Sequence, residues 1–579
     1  MLRTQNNSFL TKYMKHEMVS LIVLCMIMLI STIVMLLNPQ VLAYFIDAAV
    51  NQQPLQMLFI LALGYIGIAI LTQIFNIIST YISTNIAWKV TNQVRLDVTE
   101  HCLRLNLDFH NKKTTGEFIE RIDGDVLTLG NFFSNFWAKM ISNLLLLIGI
   151  LILLFRVNIE AGIIFAIFSA ISFFILNKIR GLAIKYWGEA RQTSAELYGF
   201  LEERLNGIED VKAVGAETHV FKRMYQILIK RLQTERTAFL YGGVIWACSI
   251  AFFTLGNVLA LAIIAFLFMN GKITIGTAYL VFAYVNMLRV PIEQITSQVQ
   301  DFQRAGASIR RTQELLDVQS PIHDNQVTKD LGDLVSVQFD NVTFGYQEGT
   351  TVLDNVSFTL DAGKAMTILG KTGSGKSTLT KLLVRLYDPV KGSIRLNGVD
   401  IRDIGVAFLR SKVAMISQHV QLMTGTLRDN ITMFNDEMKD EAILKAFKEL
   451  DLWSWYEQLE LGLDTEIKSD GSNFSAGEAQ IIAFLRIYMM SPQVIILDEI
   501  SSHLDTITEQ LLLRATKKLF LGRTGIIIAH RLKTIEYTDE IMVLEQGVIV
   551  ERGERDQLIQ SSDSYLKRLV AAESGGGSV

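Results

Sequence analysis

The chain has 579 residues, half of them apolar and only 19% charged, with a formal net charge of −4. That length exceeds a single core, and a mean hydropathy of +0.31 is too high for an ordinary soluble protein. Nothing in the near-balanced charge supports nucleic-acid binding through a basic surface, so no nucleic-acid partner is expected. A membrane part followed by one or two soluble domains is the organisation that remains.

In chain order, the opening "MLRTQNNSFLTKYMKHE" lacks the short apolar core and small residues of a cleavable signal, and reads as a cytoplasmic lead-in. Six apolar stretches follow, near 19–43, 55–82, 136–154, 161–179, 244–269 and 275–295. Each is long enough to cross about 30 Å of hydrocarbon as a helix, and closed backbone hydrogen bonding demands helices rather than isolated strands there. The lipid bilayer is therefore an expected partner. Two gaps, 83–135 and 180–243, are each more than fifty residues long and carry many cations, among them Lys89, Arg95, Lys112, Arg121, Arg180, Lys185, Arg191 and Lys222. The short gaps carry almost none, Lys272 being a minor exception. By the positive-inside rule the long arms and both termini face the cytoplasm, and the chain reads as a multi-pass protein of the cell membrane.

Cys25, Cys102 and Cys248 are too scattered for a disulfide framework or a metal motif and read as packing residues. Within the sixth stretch, Pro291 removes a backbone donor, which serves either a gating kink or a tolerated irregularity. Nearby Arg289 either faces a translocation path or snorkels towards the interface.

After "FQRAGASIRRTQELLD" the composition turns polar, and 321–334 reads as a linker ahead of a soluble domain over 335–572. The closing segment 573–579 resembles an added linker. "LGKTGSGKST" is a complete phosphate-binding loop between the apolar strand "AMTIL" and a helical "TLTKLLVRLY". Its glycines, Gly370, Gly373 and Gly375, let backbone N–H groups curl around phosphate, helped by Thr372, Ser374 and Thr378. Lys376 neutralises phosphate charge and Ser377 reaches Mg²⁺, so ATP and Mg²⁺ are the expected cofactors. Downstream, "VIILDE" is a buried strand ending in Asp498, a further Mg²⁺ holder, and Glu499, placed to polarise the attacking water.

The order of these elements resembles the ATP-binding-cassette (ABC) exporters over essentially the whole chain. The resemblance implies an all-α transmembrane domain of six helices with long cytoplasmic extensions over 1–320, then an α/β phosphate-loop ATPase domain of the ABC type. It implies coupling regions at 112–118 and 206–217. It also implies that Tyr346 stacks on adenine, that Gln418 contacts Mg²⁺ and water, that His530 hydrogen-bonds the γ-phosphate, and that "SHLD" (502–505) crosses to the opposite monomer. Catalysis would fall to Glu499, His530 and Gln418.

One segment departs from the family. Where members carry "LSGGQ", which presses on ATP held by the partner's phosphate loop, this chain has "FSAGE". Ser475 and Gly477 keep a hydroxyl and a bare backbone for phosphate, but Ala476 restricts φ where glycine has freedom. Glu478 brings a carboxylate that, at roughly 8 Å and an effective dielectric of about 20, costs on the order of 2 kcal/mol against one phosphate charge before screening. "TEIKSDGSN" lacks the "GE.G" usual ahead of the signature, and His503 replaces a small residue. The expected partner is a second, different half-transporter with an intact "LSGGQ", although a homodimer with two slow sites stays open. The expected activity is ATP-driven export of a hydrophobic or amphipathic small molecule or lipid-like substrate, multidrug efflux included. An exporter-fold importer, such as a siderophore uptake subunit, and an ATP-regulated membrane protein are the alternatives.

Overall fold

The computed structural model describes residues 12–322, 324, 331–347, 349–498, 505–529, 532–561 and 565, apart from a few side chains inside helices. Two compact units emerge: one of Met1–Leu103 with Thr115–Val318, the other of Arg104–Thr114 with Gln319–Val579.

Among the described residues of the first unit, six helices are long and apolar enough to cross a membrane. They comprise α1 (Met18–Val50) and α2 (Leu55–Arg104). After the five-residue α3 (Leu107–Asn111) come α4 (Thr115–Val157), α5 (Ile159–Asn206), the short α6 (Ile208–Ala213) and α7 (Glu217–Met269). The sixth span is broken into α8 (Ile275–Met287) and α9 (Arg289–Leu316). Fifty residues make α2 about 75 Å long, far more than the bilayer requires, so the polar arms continue the same helices as the apolar spans. Of the apolar window of α2 only 6% is buried, which is the outer face a lipid-exposed helix presents.

The break at Leu288 has a local cause. Pro291 has no N–H to give the carbonyl four residues back, at Met287, and its ring crowds that carbonyl, so the ladder is interrupted at the 287/288 junction. Arg289 is engaged rather than loose: its Nε donates to Glu293 Oε1 at 3.1 Å and its guanidinium lies 5.9 Å from the Phe253 ring centroid. The hydroxyl of Ser249 donates to the same Glu293 oxygen at 2.6 Å, tying α7 to α9.

Polar groups inside this unit are matched across helices. Tyr284 Oη donates to the Leu36 carbonyl and accepts from Gln40 Nε2, both at 3.0 Å, amid a core of Ile150, Leu154, Phe165 and Leu288. Asp47 near the end of α1 accepts from Gly276 N and Thr274 Oγ1, each at 2.7 Å, and so caps α8. Gly276 is required there, because a Cβ would lie 2.2 Å from the Ala43 carbonyl oxygen. The three cysteines are free thiols: Cys25 exposed, Cys248 half-buried and Cys102 buried.

The second unit holds two main sheets. Strands β1 (Val337–Phe344), β2 (Leu353–Leu360), β4 (Lys391–Leu396) and β5 (Val399–Asp400) form an antiparallel sheet in the order β2-β1-β4-β5. With β3 (Ala365–Leu369), β6 (Val413–Ile416), β9 (Val494–Asp498), β10 (Thr524–Ile528), β11 (Glu540–Glu545) and β12 (Val548–Glu554), the larger sheet runs β12-β11-β3-β10-β9-β6. The two-residue strands β7 (Gly425–Thr426) and β8 (Glu466–Ile467) pair separately. All five residues of β9 are buried: Val494 and Ile496 enter the core shared with the antiparallel sheet, Ile495 and Leu497 the core beneath the helices. A strand covered on both faces reads as an unbroken apolar run, as "VIILD" does.

Packing reaches into both segments that flank this unit. Leu331, within the stretch read as linker, is already buried in its core. Encoded between the second and third spans, α3 belongs to it as well: Leu107 packs on the core and Asn111 Nδ2 donates to Tyr387 Oη at 3.0 Å. This short helix lies just ahead of 112–118. At the second turn, α6 falls inside 206–217.

A buried carboxylate paired with a half-exposed arginine tests the membrane unit. Asp125, 2% exposed, accepts from Ser308 Oγ at 2.9 Å and from the Arg311 guanidinium on α9, whose Nε lies 2.9 Å from Oδ2. Arg311→Met leaves that carboxylate buried with Ser308 but without its cation, and should lower stability by about 1–3 kcal/mol, read as a depressed thermal midpoint in reconstituted protein. Asp125→Asn combined with Arg311→Met should recover part of the loss; equal midpoints for all three forms would show the pair to be inert.

Candidate functional site

The phosphate loop follows the C-terminal end of β3 and opens helix α10 (Lys376–Leu383). Gly375 sits at φ +102° as the residue before the helix, and Gly370 at φ +149°. A Cβ on Gly370 would lie 2.1 Å from the Leu544 carbonyl oxygen, so the loop's approach to β11 demands glycine. Gly373, at φ +83°, and Thr372 are on the exposed outer turn.

The donor set fits a triphosphate. Lys376 is 5% exposed and its Nζ donates to the loop carbonyls of Gly370 and Lys371 at 2.6 and 3.0 Å, so the ammonium is held in the loop's hollow. Among the described residues the buried Ser374 hydroxyl has no hydrogen-bond partner, an unmatched polar atom at the place where a phosphate oxygen would supply one. Ser377 is half-buried in the first turn of α10 and Thr378 is buried beside it. Tyr346 Oη lies 3.1 Å from Thr378 Oγ1, and its ring packs edge-on against Phe344 and Tyr387 with centroids 5.2 Å from each. With 38% of the residue exposed, the Tyr346 ring retains surface for a base.

Sheet register brings the second group of residues to the same edge. Ile528 of β10 is level with Ile368 of β3 on one side and Asp498 of β9 on the other. Asp498 therefore stands two strands, or about 9.5 Å, across the sheet from the start of the phosphate loop. Ile416 of β6 pairs with Leu497, so Gln418, exposed two residues beyond β6, leaves from that edge too. Glu499, His530 and residues 502–504 of "SHLD" lie outside the described residues. Asp505 is described: it caps the following helix, accepting from Ile507 N and Thr508 N at 3.0 Å each. Its bond with the Thr508 side chain, and then those with backbone N–H groups, hold its carboxyl below the usual carboxylate range.

Ser475 and Gly477 lie apart from this group, at the start of helix α11 (Ala476–Met490). Ser475 is the N-cap, and its Oγ accepts from Glu478 N at 3.2 Å while Glu478 Oε2 accepts from Ser475 N at 2.8 Å, a reciprocal capping box. Glu478 Oε1 accepts the indole N–H of Trp455 at 3.2 Å. Trp455 is itself buried, stacked against Phe447 with centroids 6.1 Å apart. The expectation of a bare carboxylate aimed at phosphate is thus changed: this one is turned back onto its own helix and latched. Ala476 carries no positive φ, so the methyl brings no backbone strain. The box does not engage the N–H groups of Ala476 and Gly477.

Arg486, on the same helix, has a positioning part that sequence reasoning missed. Its guanidinium donates to the Asn430 carbonyl at 2.6 Å, to Asn430 Oδ1 at 3.0 Å and to the Gln421 carbonyl at 3.2 Å. Fully buried Asn430 in turn donates to the Met423 and Thr426 carbonyls at 2.7 and 3.1 Å. The segment leaving Gln418 is thereby pinned to α11, and burial pulls the Arg486 guanidinium below its ordinary range.

Comparison with known proteins agrees with this geometry. Residues 21–292 match the family model "ABC transporter transmembrane region", and residues 353–502 match "ABC transporter". An uncharacterized ABC transporter ATP-binding protein of Bacillus subtilis, YknV, is 30% identical over 545 residues, 93% of this chain and 89% of that protein. The chain belongs to the ABC transporter family. The ATP-dependent lipid A-core flippase of Idiomarina loihiensis is 30% identical over 532 residues, 90% of either chain. A solved bacterial Atm1-family ABC exporter with ATP bound has the same fold, with a TM-score of 0.82 at 24% identity, over 98% of this chain and 99% of that one. This ABC transporter is thus a half-transporter with its membrane region fused to its ATPase domain, and its ATPase is coupled to transport.

The capping box is directly testable. Glu478→Ala removes it and should destabilise the ATPase domain by about 1 kcal/mol, with a red-shifted Trp455 emission from the freed indole. Glu478→Gln, which keeps an acceptor, should recover most of both. Unchanged melting and emission in the alanine variant would show that the box does not form.

Proposed function

We propose that this ABC transporter is one subunit of a heterodimeric exporter in the bacterial cell membrane, with its ATPase domain and both termini cytoplasmic. ATP binding draws two nucleotide domains together and hydrolysis resets them. Gly370 and Thr372 to Thr378 cradle the phosphates and Tyr346 takes the adenine. Ser377, Gln418 and Asp498 hold Mg²⁺, which supplies charge neutralisation at the phosphates. Glu499 polarises the water and His530 contacts the γ-phosphate, with Gln418 reporting on the site.

The pairing rests on one observation: an open phosphate loop coexists with a signature helix whose N-terminus is capped by its own Glu478. A carboxylate already seated there offsets the positive end of the helix that would otherwise attract the partner's γ-phosphate. Ser475 is exposed and still permits contact, although Gly477 behind it is buried, so the site formed by this helix is weak rather than absent. The other composite site joins this chain's phosphate loop to an intact "LSGGQ" of the partner. A lipid-like or otherwise amphipathic substrate is supported by the flippase relative and by the large apolar membrane unit.

In inside-out vesicles carrying the pair, Glu499→Gln should bind ATP normally but lose turnover and ATP-dependent accumulation by about 10²-fold or more. Unchanged accumulation would sink the assignment of Glu499, and ATP-dependent release would favour import. Purified alone, the chain should give little ATPase activity; brisk turnover by a homodimer refutes the pairing.

A further inference from the structure

Within the membrane unit lies a cavity of about 920 Å³, in the size range of small-molecule sites, walled by α5, α7 and α9. Three of its lining residues are arginines: Arg180, Arg191 and Arg304. Arg180, Ile184, Trp187 and Arg191 are spaced at four, seven and eleven residues, one face of α5, so two cations flank an apolar stretch along about 16 Å of helix. Ile245 of α7 faces the same space.

The level of the cavity matters as much as its lining. The apolar run of α5 ends just before Arg180 and that of α7 begins just before Ile245, so the cavity straddles the end of the hydrocarbon-length segments, on the side of the long helical arms. Headgroups of amphiphiles reside at that boundary.

Charge decides the ligand class. None of the described lining residues is acidic. Arg180 does feel the Glu293 carboxylate, but that group is already taken by Arg289 and the Ser249 hydroxyl. Among the described residues, Arg304 has a single acidic contact, 3.8 Å to Asp301 on its own helix with both groups half exposed. Exposed Arg191 donates through Nε to the Trp187 carbonyl at 3.4 Å, a contact that leaves its charge unmatched by an acid. Guanidinium groups keep their charge, so a cavity wall that carries three of them favours an anionic guest over a cationic one. Their planar donor forks match phosphate and carboxylate oxygens in pairs.

We infer that this cavity binds an anionic amphiphile, with a phosphate or carboxylate headgroup among Arg180, Arg191 and Arg304 and an alkyl chain along Ile184, Trp187 and Ile245. The inference rests on the transporter reading above and names the substrate class of its membrane unit.

The test uses the full chain with its partner subunit in phosphatidylcholine nanodiscs. Binding is followed for 1-palmitoyl lysophosphatidic acid, 1-palmitoylglycerol, hexadecyltrimethylammonium and inorganic phosphate. Lysophosphatidic acid should bind about tenfold or more tighter than the phosphate-free glyceride, and Arg180→Gln with Arg304→Gln should erase that preference while sparing glyceride binding. It should also quench tryptophan emission in a way that Trp187→Phe abolishes. Equal affinity for the glyceride, preference for the ammonium, or inorganic phosphate binding as tightly as the lysolipid would each overturn the inference. The wild-type comparison decides even if the double variant misfolds. Glu499-dependent ATP turnover without lysolipid preference would sink this inference alone, whereas absence of any ATP-driven movement would sink the export reading instead.

Discussion

A helix N-terminus gathers partial positive charge on unmatched N–H groups, and the ATPase domain disposes of two such ends in opposite ways. At α10 the end is left open by glycine, with Lys376 folded into the loop and the Ser374 hydroxyl buried without a partner among the described residues. At α11 it is partly capped by Glu478, which bonds Ser475 N and is itself held by Trp455, while the N–H groups of Ala476 and Gly477 stay outside the box. One chain thus carries a helix end shaped for an anion and another partly offset by its own carboxylate. The rest of the domain serves to hold these two ends in place.

The holding is done by burial and by buried polar ties. Strand β9 is wedged between two cores, so its register with β10 and β6 cannot slip without turning Val494 and Ile496 into the wrong core. Asp498 is consequently fixed at the loop's edge of the sheet. Arg486 and Asn430 do the equivalent for the segment after β6, where no regular ladder exists, by satisfying carbonyls that would otherwise be stranded.

Much of this was legible in the sequence because its signals are local. Six apolar runs, the glycine spacing of "GKTGSGK" and the unbroken "VIILD" each encode their own structure within twenty or so residues. The Ser475-x-x-Glu478 spacing is also local and spells a capping box, although the negative charge of Glu478 is the feature that a comparison with "LSGGQ" brings forward. Trp455 was not legible, since only packing brings an indole 23 residues upstream onto that carboxylate. The same holds for Asp47 with Gly276 and Asp125 with Arg311, pairs 229 and 186 residues apart in the chain. Their residue types announce polarity, but periodicity says nothing of the partner.

Polar residues in the membrane unit separate by how they are matched. Asp125, Glu293 and Tyr284 each find a donor or acceptor on another helix, which is what a low-dielectric interior demands of any polar group retained there. These pairings fasten α1, α4, α7, α8 and α9 into one body. The arginines of the cavity do not follow that rule: Arg180 and Arg191 are set on the same face of α5 with apolar residues between them, and the acids in reach are engaged elsewhere or only weakly held. A charge whose partner is supplied by the fold serves packing, and a charge whose partner is not supplied points outside the fold for one. By that distinction Arg311 belongs to the scaffold and Arg180 to the cargo.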